Sequence, residues 1–558
     1  MAWRKYLADQ VDDVVEACGD GWQVVKHRGP DKVQFWFIAV LIGVAGGLAA
    51  IAFRRGIEVI QTLVYGETDI HLHSVASELP WYWLLIVPIV GGLVVGQILH
   101  RFTYDARVRS VADVIEGAAL HDGRVEIKAG FASALASLIT LSTGGSTGRE
   151  GPVVHLAGTI STWVSRKLKA DGITGRDLLG CAVAAAVSAS FNAPIAGTIF
   201  ALEVVLRHFA VHAFAPITIA AVVGTIVNRW QYGNVTEFLL PEPGALSFYV
   251  ELPAFLLLGL LCGLVAVALM KGIFAAETFA NEVQDRTGLH RSLRPGVSGA
   301  MLGVIAIWFP HIIGVGYETT ARALTGNLTL SLAIVFVVIK CIAVAITFAG
   351  RMGGGVFSPS LMVGALTGLA FGYVATSIFP TVSGSETLYA LAGMGAVAAA
   401  VLGAPISTAL IVFELTGDWQ TGLAVLTAVS LSSALASRMV QRSFFLTQLE
   451  RRGVRMAAGP QAYILSMFRV SSVYRPLGHA KGAPVDELED LMAAGISVER
   501  TSTLEGVLPL FDRADTRFLP VTEKNEGHAP TLIGSLHHID ALKAYSRALA
   551  ATAAEEHS

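Results

Sequence analysis

The chain has 558 residues, 53% of them hydrophobic and only 15% charged, with a formal net charge of −3. Its mean hydropathy is +0.59. Average soluble proteins carry about 25% charged residues, so the composition excludes an ordinary soluble globule and describes an integral membrane protein with a more polar tail. The near-neutral balance argues against a nucleic-acid binder, which would show a basic patch. The four scattered cysteines, Cys18, Cys181, Cys262 and Cys341, set up neither metal-ligand spacing nor a disulfide framework.

Residues 1–32 are polar, contain Arg4, Lys5, Lys26, Arg28 and Lys32, and lack the early apolar core of a signal peptide. They read as a cytoplasmic leader. Val33–Phe53 is a first span, near the ~20 apolar residues that a bilayer requires. Trp81–Leu99 is a second, with Trp81, Tyr82 and Trp83 suited to an interfacial belt. Phe131–Leu141, Val153–Val164, Leu178–Ser190 and Ile195–Val205 are too short or too interrupted for simple spans. Phe214–Val227, Leu252–Met270, Gly296–Phe309 and Leu328–Phe348 are longer; Leu361–Phe379, Leu388–Leu402, Ile406–Leu415 and Leu423–Met439 complete a membrane part over 33–450. Apolar pieces broken by glycine and proline predict broken and re-entrant helices, because non-helical backbone at that depth is tolerated only against protein or a polar cavity. The fold class is an all-α polytopic membrane protein with a small α/β tail.

One stretch stands out, Ser142-Thr143-Gly144-Gly145-Ser146-Thr147-Gly148-Arg149-Glu150-Gly151-Pro152, set between two apolar segments. Ionisable groups at membrane depth cost at least ~2.5–3.5 kcal/mol each at a helix centre and are usually functional. Glycines open the backbone amides to an ion, and a helix starting near Pro152 turns its unpaired N–H groups and positive dipole end toward the loop. Such an arrangement binds anions; the plainer reading is a tight turn between packed helices.

The chain also repeats itself. Asn192-Ala193-Pro194-Ile195 through Leu202-Glu203 resembles Gly403-Ala404-Pro405-Ile406 through Phe413-Glu414, at an offset of 211 residues. A glycine-rich break precedes each copy, Gly144–Pro152 in one and Gly350–Pro359 in the other. Paired interruptions in two similar halves point to a transporter-type site at the repeat interface, with a break between halves near 232–251.

Beyond Arg438 the chain turns polar. Arg442, Arg451, Arg452 and Arg455 put this end in the cytoplasm with the N-terminus by the positive-inside rule. Leu504–Arg513 reads as an amphipathic helix, Arg517–Thr522 and Leu532–Leu536 as strands, and Ile539–Leu549 as a returning helix. This order, over 501–550, is the pattern of a CBS motif. Residues 451–500 hold either a linker or a degenerate first copy, and 551–558 read as a disordered tail.

Gly148-Arg149-Glu150-Gly151-Pro152 and Gly354-Gly355-Val356-Phe357-Ser358-Pro359 resemble the second and third signature motifs of the ClC chloride channels and transporters. Phe191-Asn192-Ala193-Pro194 and Glu414-Leu415-Thr416-Gly417-Asp418 resemble the same family, and the likeness runs over about residues 33–450, most similar to bacterial B-type members. The resemblance implies an inverted-repeat architecture, a multi-pass protein of the cell (inner) membrane in contact with lipid, and a homodimer of two independent pores. It implies chloride or a similar small anion as substrate, no cofactor, and a gate at Glu150 whose carboxylate competes with the anion. Gly148, Arg149, Gly151, Gly355, Val356 and Phe357 then fall at anion-binding positions. An adenine nucleotide at the CBS-like tail is a further implied ligand.

Three departures from the family pattern bear on mechanism. The first motif is absent; Val108-Arg109-Ser110-Val111 stands in its place, so Arg109 falls where a pore-lining serine belongs, with Ser110 adjacent. Arg109 either supplies charge to the pore or points to its cytoplasmic entrance. Phe445 stands where the family usually has an anion-contacting tyrosine, and Val204 where proton-coupled members carry an inner glutamate relay. Glu203 and Glu414 read as carboxylates paired within the protein or at a dimer interface, and His155 and Lys340 take no role.

The leading functional expectation is a passive chloride channel gated by voltage or pH through Glu150, with a chloride/proton antiporter as the alternative. An intramembrane hydrolase using Glu150 and His155 fits poorly. The two lie five residues apart in the sequence, off a common helix face, and neither HExxH nor GxSxG occurs. A P-loop fails as well, since Gly148-Arg149-Glu150 lacks the required lysine and hydroxyl residue.

Overall fold

The computed structural model describes residues 32–170, 172–209, 211–233, 248–380, 383, 385–454, 468–523 and 530–556. The expected leader, apart from Lys32, most of the expected break at 232–251, Arg455 and residues 557–558 lie outside the described residues. Seven described helices are long and apolar enough to cross a membrane. Their centres coincide with the expected spans but several run further. Lys32–Tyr65 and Phe248–Thr287 have 34 and 40 residues, because charged residues such as Arg54, Glu58, Glu277 and Glu282 continue the helical pattern beyond the apolar stretch. Between the spans lie shorter apolar helices, among them Ile127–Ser142, Glu386–Leu402 and Pro405–Thr416, which are the broken elements that the sequence predicts.

Glycine at helix crossings brings backbones into direct contact, the usual solution where lipid removes any hydrophobic drive between helices. A Cβ on Gly299 would stand 2.1 Å from the Pro88 carbonyl oxygen, locking Arg294–Trp308 onto Trp81–Phe102. In the second half, a Cβ on Gly364 would stand 2.3 Å from the Gly393 carbonyl oxygen, seating Phe357–Ile378 against Glu386–Leu402.

The repeat is visible as reciprocal capping. Helices Pro194–Phe200 and Pro405–Thr416 both open on proline, which has no N–H, so the next two amides are the first orphan donors. Ile195 and Ala196 donate to the Glu414 carboxylate at 3.0 and 2.7 Å. Ile406 and Ser407 donate to the Glu203 carboxylate at 3.0 and 2.8 Å, and the Ser407 hydroxyl adds a third bond at 2.8 Å. Each half thus supplies the acid that caps the other half's helix. Both glutamates are paired within the protein, one of the two readings that the sequence left open.

Past the membrane part, four strands form one sheet in the order β1-β4-β3-β2: β1 Arg475–Pro476, β2 Val498–Glu499, β3 Phe518–Glu523 and β4 Thr531–His537. β3 and β4 pair antiparallel, and β2 lies parallel to β3. Helices Leu504–Ala514 and His538–Glu556 flank the strands, and Val470, Val498, Phe511, Leu519 and Leu536 share their core. All four elements expected over 501–550 are present. Residues 468–499 are folded into the same sheet through β1 and β2 rather than serving as a linker alone. The final helix continues to Glu556. The alanine-rich run over 548–554 has the highest intrinsic helix propensity, which is why a helix outlasts the hydrophobic pattern.

Candidate functional site

The two glycine-rich breaks meet back to back. The Gly148 N–H donates to the Gly355 carbonyl, and the Gly355 N–H returns a bond to the Gly148 carbonyl, both at 2.7 Å. The Thr147 hydroxyl also donates to the Gly355 carbonyl, at 2.9 Å. Only glycine fits here: Gly354 adopts φ +132°, and a Cβ on it would stand 2.0 Å from the Thr147 hydroxyl. Helix Glu150–Leu168 begins directly after the first break and Phe357–Ile378 directly after the second. Their free N–H groups and positive dipole ends therefore converge on one region.

Glu150 occupies that region. It is 3% exposed. One carboxylate oxygen accepts from the Ser358 hydroxyl at 2.5 Å, and the other accepts from the Tyr317 hydroxyl at 3.3 Å. Ser358 lies in the first turn of the opposing helix, so the carboxylate sits at two helix N-termini at once, where an inorganic anion would be favoured for the same reasons. Beside it is a narrow enclosed space of about 10 Å³ for the centre of a water-sized sphere, lined by Ser110, Glu150, Gly151, Gly355, Val356, Phe357 and Phe445. Phe191 and Phe200 hold the Phe357 ring from behind, with centroids 4.7 and 6.0 Å away. Phe444 packs edge-on against Phe445 at 5.9 Å, giving an aromatic wall with no hydroxyl.

Two expected residues fall elsewhere. Gly148 is engaged with Gly355, and Arg149 projects to the other side of Glu150. The Arg149 guanidinium lies 5.0 Å from the Tyr317 ring centroid, with its Nε 4.0 Å from the Glu150 carboxylate. It lines a separate cavity with Arg54, Gln61, Asp69 and Tyr317. Nearby, Lys340 is fully buried and donates to the carbonyls of Ile312 and Gly314 at 3.3 Å each.

The register at the missing first motif is also resolved. Ser110, not Arg109, reaches the narrow space. Its N–H donates to the Asp113 carboxylate at 2.8 Å at the start of helix Val111–Leu120, as in a capping box. Arg109 points away and pairs with Asp105, Glu126 and Asp113 at 2.9, 3.2 and 3.8 Å. It lines a polar cavity of about 410 Å³ on the face that carries the α/β region. Val204 is buried in the π-helical turn Ala201–Leu206 and carries no exchangeable proton. Tyr317 and Ser358 were not singled out by the sequence reading. Ser358 had a signal, its place inside the third motif, whereas Tyr317 is delivered by a distant turn and had none.

The profile of a family described as voltage gated chloride channel matches residues 91–437. A ClcB-like chloride channel protein of Ralstonia nicotianae is 32% identical over 396 residues, covering 70% of this chain and 91% of its own. The H(+)/Cl(-) exchange transporter ClcA of Vibrio vulnificus is 29% identical over 445 residues, covering 78% of this chain and 92% of its own. Among solved structures, a slow cyanobacterial Cl-/H+ antiporter superimposes with a TM-score of 0.67 at 20% identity, over 76% of this chain and 98% of that one. These likenesses coincide with the membrane part, the paired glycine breaks and the reciprocal repeat. The chain belongs to the ClC family of chloride channels and transporters.

Proposed function

We propose that this protein is a chloride channel whose conduction path runs through the space beside Glu150, with Glu150 as its gate. The observation that supports this most is the position of the Glu150 carboxylate, held by Ser358 and Tyr317 where two helix N-termini converge. There it competes with chloride for the same amides and dipoles. Protonation removes the charge and the competition, so acid opens the path. Ser110, Gly151, Gly355, Val356, Phe357 and Phe445 make the anion's surroundings; Arg149 attracts anions toward the gate from one side, and Arg109 stands at the entrance on the other. The protein works as a transporter of chloride or a similar anion rather than as an enzyme, with no resident cofactor. It is a homodimer in the inner membrane with both termini cytoplasmic, the basic cluster Arg442, Arg451 and Arg452 favouring that orientation. The α/β region is a CBS-like module, and its helix–strand–strand–helix order is what suggests an adenine nucleotide as a ligand.

A second reading, chloride/proton exchange, draws on the exchanger among the relatives. Val204 weighs against it, because a valine carries no proton at the position where proton-coupled members of the family have a glutamate. Reconstituted liposomes with chloride and proton movement recorded together separate the two. The channel reading expects chloride flux without uphill proton movement; proton pumping driven by a chloride gradient would replace it with exchange.

A further inference from the structure

His155 lies on the same helix as Glu150, five residues along, which is an axial rise of about 7.5 Å. It is 1% exposed, and among the described residues neither ring nitrogen has a hydrogen-bond partner. Buried polar groups are otherwise almost always bonded, so an orphaned imidazole needs an explanation. The site is shaped for the ring: a Cβ on Gly130 would stand 2.9 Å from its Cε1.

The ring lines the polar cavity of about 410 Å³ on the tail-bearing face, while its neighbour Val154 lines the narrow space beside Glu150. The opposite wall divides in the same way, with Arg109 and Asp113 on the cavity side and Ser110 and Val111 on the pore side. The partition between aqueous cavity and gate is thus about one residue thick on each side, and His155 is the titratable group set in it.

The charges around the ring are balanced. Asp105, Arg109, Asp113 and Glu116 line the cavity from the Val111–Leu120 helix and the segment before it; His121, Arg124 and Glu126 come from the following turn. Arg166 lines it from the ring's own helix and Arg452 from the end of the membrane part. Four carboxylates face four guanidinium groups, and several are locked in pairs, Arg109 with Asp105 and Glu126 and Arg452 with Asp113. Pairing among these side chains leaves the cavity wall beside the ring close to charge balance.

We propose that His155 is the inner proton-transfer residue for Glu150, taking over the task that Val204 is unable to perform. The proposal rests on Glu150 being the gate. A hydronium ion in the polar cavity gives its proton to one ring nitrogen and is left as water; the imidazolium releases the proton on its other nitrogen to a water in the narrow space, which becomes hydronium. That hydronium protonates the Glu150 carboxylate, and the ring returns to neutral. Nothing is oxidised or reduced, and the proton is the sole species moved.

The test uses planar bilayers containing the full chain, with pH set separately on each side. His155→Gln and His155→Ala are expected to keep chloride flux and its response to pH on the far side. Their response to pH on the tail-bearing side falls at least tenfold, or, if the protein exchanges protons, proton flux falls at least tenfold with chloride flux retained. Adding Val204→Glu to His155→Gln restores that response. An unchanged tail-side response in both single variants overturns the proposal, as does an equal loss of chloride flux at every pH, the mark of a packing role. Failure of the gate reading has a different signature, a Glu150→Gln protein still sensitive to pH.

Discussion

The two halves of the membrane part are alike where they hold each other and unlike in the side chains that follow their glycine breaks. At helices Pro194–Phe200 and Pro405–Thr416 the exchange is reciprocal: Glu414 caps one and Glu203 the other through matching amides. At the glycine breaks the backbone is equally reciprocal, with Gly148 and Gly355 trading two bonds of 2.7 Å. The side chains then diverge. The first residue of the helix is Glu150 in one half and Phe357 in the other. Duplication supplies two converging helix ends, and a single difference at the first helical position gives one of them a carboxylate. Symmetry builds the frame, and its local loss places a carboxylate at the junction.

Breaking the backbone exchange is the most severe way to test this comparison. Gly354→Ala places a Cβ 2.0 Å from the Thr147 hydroxyl at φ +132° and is expected to reduce chloride flux at least tenfold in vesicles. Gly272→Ala meets nothing within 4 Å and leaves flux unchanged; an equal loss in both would remove the special status of the break. The capping pair offers a sharper test of symmetry. Glu203→Gln and Glu414→Gln each replace charged acceptors, worth about 1.5–3 kcal/mol per hydrogen bond, so each should lower thermal stability in detergent, and by similar amounts. A large effect in one and none in the other would contradict reciprocal capping.

Across the asymmetric junction, Ser358→Ala removes a donor that favours the charged form of Glu150. The acid-induced rise in flux is then expected to move to higher pH; no movement would leave Ser358 a packing residue. The smallest effect is expected at the edge of the second half. The Asp418 carboxylate accepts from the Thr421 N–H at 2.8 Å and caps helix Trp419–Met439; the Thr421 side chain first, and the Thr421 and Gln420 amides with it, hold its carboxyl below the usual range. Its contribution is present above the ordinary carboxylate range and is lost as pH falls through the depressed folded value. Asp418→Ala should cost about 1 kcal/mol, measured by thermal unfolding at neutral pH, and the difference should vanish in strong acid.

Much of this was legible in the sequence, for reasons that can be named. The spans followed from apolar runs, and the junction followed from two glycine breaks ahead of two Ala-Pro-Ile helices at an offset of 211 residues. Helix ends were less legible: Phe248–Thr287 outruns its apolar core because polar residues continue a helix without a hydrophobic signal. The choice between Arg109 and Ser110 was open because one residue of register on an irregular loop leaves no periodic trace. The structure settles the geometry, with Ser110 beside the narrow space and Arg109 among carboxylates. The partners of Glu150 were hidden for a related reason. Tyr317 lies 167 residues away and arrives through a turn at Gly314 and Gly316, a tertiary event with no local pattern.

Glu150 is proposed as the group that closes the path, and one measurement addresses it directly: chloride flux from reconstituted vesicles across a range of pH, for the parent protein and for Glu150→Gln. The parent is expected to carry more chloride as pH falls, and the variant to carry chloride at every pH with no such rise. A Glu150→Gln protein that keeps the parent's pH dependence would contradict the account.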